Sequence, residues 1–139
     1  MGTLTVQGGQ LTLPNGRKEG RLVAFFGFTA PFYSAKLAYG AQGGSALTQK
    51  KKIDHLGLIL FDTHFQGLQM GQSFLSLDGL PQMLQEAVVP ADTVFDEYDE
   101  PAIAVGGTWD TDARLCLLAQ APRPAKVGAV IVSINTNEK

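Results

Sequence analysis

Sixteen glycines and seven prolines are spread along the 139 residues. Read as breakers, they predict no helix longer than about three turns. Between these breakers the runs are short and rich in Val, Ile, Leu, Phe and Thr. β-Branched and aromatic side chains fit a pleated surface, and frequent turn signals between such runs give an all-β pattern. The expected fold is one antiparallel β domain over residues 1–139, a β-sandwich or barrel-like arrangement with a long flexible loop. Charged residues make up only 17% of the chain, against about a quarter in an average soluble domain. So low a charge content predicts that part of the surface faces other protein.

Several segments can be placed. Residues 3–7 and 10–13 alternate around Gly8-Gly9, and Pro14-Asn15-Gly16 is a second tight-turn signal, so residues 1–20 read as an N-terminal hairpin. Residues 21–28 are continuously apolar, which predicts a strand buried on both faces. Pro31 interrupts, and residues 32–39 alternate again around Tyr33, Ala35, Leu37 and Tyr39. Residues 40–52 are glycine-rich and then basic, a flexible basic loop feeding a strand over 53–61. In that strand Ile53, His55, Gly57 and Ile59 fall on one side and Asp54, Leu56, Leu58 and Leu60 on the other. Residues 80–89 hold the best candidate for a helical turn, with Pro81 at its first position. Short strands follow at 102–105, 113–120 and 126–135.

Charge and cysteine content narrow the function classes. Eleven basic against thirteen acidic residues give a net charge of −2, which disfavours a nucleic-acid binder working through a global basic field. A single cysteine, Cys116, excludes an internal disulfide. Flanked by leucines, it reads as a small buried hydrophobe rather than a reactive thiol. The start of the sequence has no signal-peptide character and no stretch approaches about 18 apolar residues, so cytoplasmic synthesis and no membrane contact are expected.

No motif points to chemistry. His55 and His64, with Asp62 between them, lack the spacing of a metal site. The serines lack a nucleophile elbow, and the glycines of residues 40–44 lack the context of a phosphate loop. The acidic run Asp96, Glu97, Asp99 and Glu100 lacks the calcium-loop pattern and reads as an acidic loop on a solvated face. Asp110 and Asp112 suit a tight turn that Arg114 locks with a forked bond. Trp109 is read as a core anchor. The expectation is therefore not an enzyme, with no cofactor and no metal.

Four segments in order resemble something known. They are Arg21-Leu-Val-Ala-Phe-Phe-Gly-Phe-Thr-Ala-Pro-Phe-Tyr, Gln49-Lys-Lys-Lys-Ile-Asp-His-Leu-Gly-Leu-Ile-Leu-Phe-Asp-Thr, Gly71-Gln-Ser-Phe-Leu-Ser-Leu-Asp-Gly-Leu-Pro, and the closing hairpin from Thr108 through Arg114, Gln120 and Pro122-Arg-Pro124 to Val132. Their order and spacing over residues 21–135 resemble the C-terminal part of the tail tubular (nozzle) proteins of short-tailed bacteriophages. Such proteins carry a large body ahead of this region, so the chain is either a fragment or a separate small subunit on the same terminal module. The resemblance implies a virion structural protein that forms a ring or sleeve around the DNA path. Its partners would be other copies of itself and other tail or head-tail proteins, with passive DNA contact in a channel and no catalytic residues. The residue reading adds an assembly contact. Lys50, Lys51 and Lys52 of the flexible loop are expected to meet Asp96, Glu97, Asp99 and Glu100 of an adjacent copy. The alternative is a small carbohydrate- or surface-binding β-sandwich using Trp109, Tyr98, Asp110 and Asp112.

Overall fold

The computed structural model describes residues 4–10, 13, 24–38, 40–41, 44–45 and 47–136. Its strands are β1 (Thr29–Tyr33), β2 (Gly40–Ala41), β3 (Gly44–Ser45), β4 (Lys51–His64), β5 (Leu68–Ser73), β6 (Ser76–Gly79), β7 (Met83–Leu84), β8 (Ala87–Val88), β9 (Val94–Ala104), β10 (Cys116–Gln120) and β11 (Lys126–Thr136). All pairings are antiparallel. One sheet has the order β1-β10-β5-β6 and the other β11-β4-β9, with β2–β3 and β7–β8 as separate two-stranded hairpins. The described residues contain strands and no helix, so the fold is all-β.

The two sheets share one core. Leu56, Leu58 and Leu60 of β4 pack in a single buried cluster with Leu68 and Met70 of β5, Tyr98 and Ile103 of β9 and Leu117 of β10. Each such side chain contributes roughly 1.5–3 kcal/mol by leaving water. Cys116 lies fully buried beside them. β11 covers one flank of β4 with its half-buried Val130, Val132 and Ile134, while Val127, Ala129 and Ile131 stay in solvent. That split follows the alternation of the sequence.

The alternation of β4 does not. Ile53 is fully buried with Leu56, Leu58 and Leu60 rather than facing away from them. The register explains it: His55 pairs with Ser133 but Ile53 with the next residue, Ile134. One extra residue of β4 is taken up there as a bulge, and a bulge changes which parity faces the core. Lys51 and Ile53 thereby join the core side.

Four other segments depart from expectation. Residues 24–28 form no strand and are exposed, not buried on both faces. Pro31 does not interrupt: it sits within β1, opposite Leu118, where an edge strand tolerates a missing N–H. The strand expected over 32–39 ends at Tyr33, and Ser34 and Leu37 instead donate their N–H groups to Leu115 and Ala113. Residues 80–89 form the β7–β8 hairpin, not a helical turn. At the N-terminus, Gly8 and Gly9 take positive φ and Gln7 and Gln10 exchange both backbone hydrogen bonds, at 3.1 and 3.0 Å. The Pro14-Asn15-Gly16 turn lies outside the described residues, as does part of the 40–52 loop, in which β2 and β3 form a short hairpin.

The β7–β8 turn carries a testable strain. Gln85 and Glu86 have φ of 48° and 67°, the left-handed pair a two-residue hairpin requires, and neither is a residue suited to it. Replacing the pair with Asn-Gly is expected to stabilise the domain by about 1 kcal/mol. Urea denaturation would check it, and an unchanged midpoint would count against the turn geometry.

Candidate interaction surface

The first of three surface features is apolar. Phe26 is 95% and Leu75 99% exposed. Phe28, Phe32 and Tyr33 also stand in solvent on and ahead of β1. Tyr33 stacks at a tilt on Phe74 of the β5–β6 turn, with ring centroids 5.8 Å apart, and Arg114 lies 5.0 Å over the Tyr33 ring. Exposed aromatic side chains that stack together, as Tyr33 and Phe74 do, mark a contact site more often than an isolated surface residue does.

The second feature is the acidic run. It is not a loop: Asp96, Glu97, Asp99 and Glu100 all lie within β9. The strand forms because Tyr98, between them, is buried opposite Leu60 and packs 5.0 Å from Phe95. Glu97 and Asp99 pair across from Phe61 and Ile59, whereas Glu100 sits opposite the core-facing Leu58. The carboxylates are thus divided between the two faces of one edge strand. Beside it lies a trough of roughly 420 Å³ lined by Pro81, Met83, Leu84, Ala102 and Ile103 together with Glu100.

Burial has a cost at Tyr98. Its hydroxyl is buried without a partner among the described residues, and burial, with Glu100 adding to it, pushes its pKa up to about 12. The folded state therefore keeps its proton where the unfolded chain loses it, so this contribution to stability is present below pH ~10 and is lost as pH rises toward ~12. Tyr98→Phe is expected to raise stability by about 1 kcal/mol at neutral pH, by removing an unsatisfied group. The same change should flatten the alkaline limb of a stability–pH profile, and an unaltered limb would contradict it.

The third feature is the pair Lys51 and Lys52 with the 110–112 turn, which are engaged inside the chain. Lys51 is fully buried rather than available to a neighbour. Its Nζ donates to the Gln49 and Thr111 carbonyls at 3.2 and 3.3 Å, and its backbone exchanges hydrogen bonds with Asp110. Burial, then the nearby Lys36, lowers its pKa. Lys52 lies 3.7 Å from Asp54 and 6.0 Å over the Trp109 ring. Trp109 is itself half exposed, not a core anchor. Asp110 accepts the Asp112 N–H at 2.9 Å, and Asp112 accepts from Arg114 Nε at 3.0 Å. Lys50 is exposed.

The residues with potential for chemistry are dispersed. His55 Nδ1 contacts the neighbouring Asp54 at 2.8 Å. His64 Nδ1 accepts the Gln66 N–H at 3.0 Å, and burial followed by Arg123 lowers its pKa. Burial raises the Cys116 pKa and so disfavours the thiolate. Among the described residues no group of three or more His, Cys, Asp or Glu is placed to hold a metal ion. The residue that sequence reading missed is Gln72, whose side chain bridges β4 and the 105–109 segment through three hydrogen bonds. A lone glutamine in a turn-rich stretch gives no signal of that role. Comparison with protein-family models, curated proteins and solved structures finds no match to this chain.

Proposed function

We propose that this chain is a structural subunit of a bacteriophage virion, a tail component that assembles with further copies around the DNA path. The observation that carries the assembly reading is the exposure of Phe26, Phe28, Phe32 and Tyr33 on a chain with only 17% charged residues. Large aromatic side chains left in solvent are a feature of surfaces that meet other protein. The tail setting rests on the ordered resemblance over residues 21–135. The edge strands of both sheets add to the reading, because an open edge needs either protection or a partner.

The test is particle composition. Phage particles banded from the source culture should contain this chain in several copies per tail, measured by quantitative mass spectrometry against a head protein. Its absence from banded particles would overturn the virion role.

A further inference from the structure

We infer that the cleft where residues 65–69, 79–82 and 118–123 meet binds a single sugar ring that carries a carboxylate, a hexuronate. The site goes beyond the virion role and does not depend on it. The cleft has a volume of about 260 Å³, just under the ~300 Å³ at which drug-sized ligand pockets begin. That is room for one ring rather than a chain. Its floor is apolar, made by Phe65, Leu68, Leu80 and Leu118. Four amides and a guanidinium stand around it, those of Gln66, Gln69, Gln82, Gln120 and Arg123. These five residues are exposed, and among the described residues none of their side chains makes a hydrogen bond or an ion pair.

The opening follows from the register. Gln69 of β5 pairs with Leu118 of β10 on one side and with Gly79 of β6 on the other. Cross-strand partners share a face of the sheet, and Gln120, two residues beyond Leu118, lies on that face too. Gly79 puts no side chain there, and a methyl group added to it would meet nothing within 4 Å. Main-chain bonds fix the walls. The His64 N–H donates to the Pro124 carbonyl at 2.9 Å, the Arg123 N–H to the Gln120 carbonyl at 3.3 Å and the Val89 N–H to the Gln82 carbonyl at 3.0 Å. A site held in this way has less to order on binding. The ligand class follows from the lining. An amide presents a donor and an acceptor side by side, which matches neighbouring hydroxyls that each do both. The C–H face of a sugar ring suits the apolar floor. Arg123 offers a planar fork to a carboxylate. No Asp or Glu lines the cleft, so an anion meets no like charge there and a cation no counter-charge. Trp109, Tyr98, Asp110 and Asp112 do not line it either, so it is distinct from the sugar loop that the sequence suggests as an alternative.

The experiment is isothermal titration of the full-length chain with D-glucuronate, D-glucose and acetate. Gly79→Val fills the cleft, and Arg123→Gln removes only its cation. Both variants should keep the parental melting curve. The parent should bind glucuronate in the millimolar range, and glucose and acetate about tenfold more weakly or worse. Arg123→Gln should bind glucuronate no better than glucose, and Gly79→Val should bind neither. If Gly79→Val melts early, Gln69→Ala combined with Gln120→Ala takes its place, with the same expected loss. A parent that takes up no glucuronate overturns the inference. Acetate bound as tightly as glucuronate reduces the site to a bare contact with Arg123 and overturns the sugar. Glucuronate binding that survives the cleft variants overturns the location, and a glucuronate preference that survives Arg123→Gln overturns the carboxylate contact. All of these outcomes leave the virion role to particle composition.

Discussion

Gly107→Ala should lower the stability of the domain by about 3 kcal/mol or more, a large part of the ~5–15 kcal/mol that holds a domain folded. An added methyl group there would run into the Ile53 carbonyl oxygen and come within 2.8 Å of Gln72 Oε1. The carbonyl belongs to β4, and Ile53 itself is fully buried. The backbone cannot retreat without drawing that side chain out of the core. Urea denaturation should show a lower midpoint with an unchanged slope. A midpoint within experimental error of the parent would mean that the 105–109 segment does not lie against β4.

Gln72→Met should cost about 2–3 kcal/mol. The amide oxygen accepts the N–H groups of Ile53 and Thr108 at 3.1 and 3.2 Å, and the amide nitrogen donates to the Thr108 carbonyl at 2.7 Å. Methionine keeps the length of the side chain and loses all three bonds. Because Gly107 and Gln72 hold the same segment, the double variant should lose less than the two single losses added together. Strict additivity in a double-mutant cycle would show that they act independently.

What could be read in the sequence followed from solvent. β11 alternates because one of its faces packs on the core and the other meets water, so its pattern survives in the residues. The hidden features arise from pairing between distant segments. Nothing near Asp54 marks the extra residue that turns Ile53 inward, since a bulge exists only relative to a partner strand. Leu80, Leu84 and Val88 have helical spacing, but the chain turns back between Leu84 and Ala87 instead. Lys51 looks like one of three equivalent lysines and differs because the bulge turns it inward and the 110–112 turn closes over it. The acidic residues of the candidate surface were visible as charges, while their division between two faces of a strand became visible only with Tyr98 fixed in the core. For residues 24–28 the sequence reports a burial that the described residues do not provide.

The order of β4 and β11 in the chain also has a consequence during synthesis. β4 is flanked by β9 and β11, and its longest run of partners comes from residues 126–136. Until those residues leave the ribosome, the strand that supplies most side chains to the core presents an open edge. Pairings so distant in sequence form slowly, on a scale of about milliseconds to seconds. Nascent chains on the same message would therefore expose unpaired edges to one another, so mispairing between chains competes with folding while β11 is still missing.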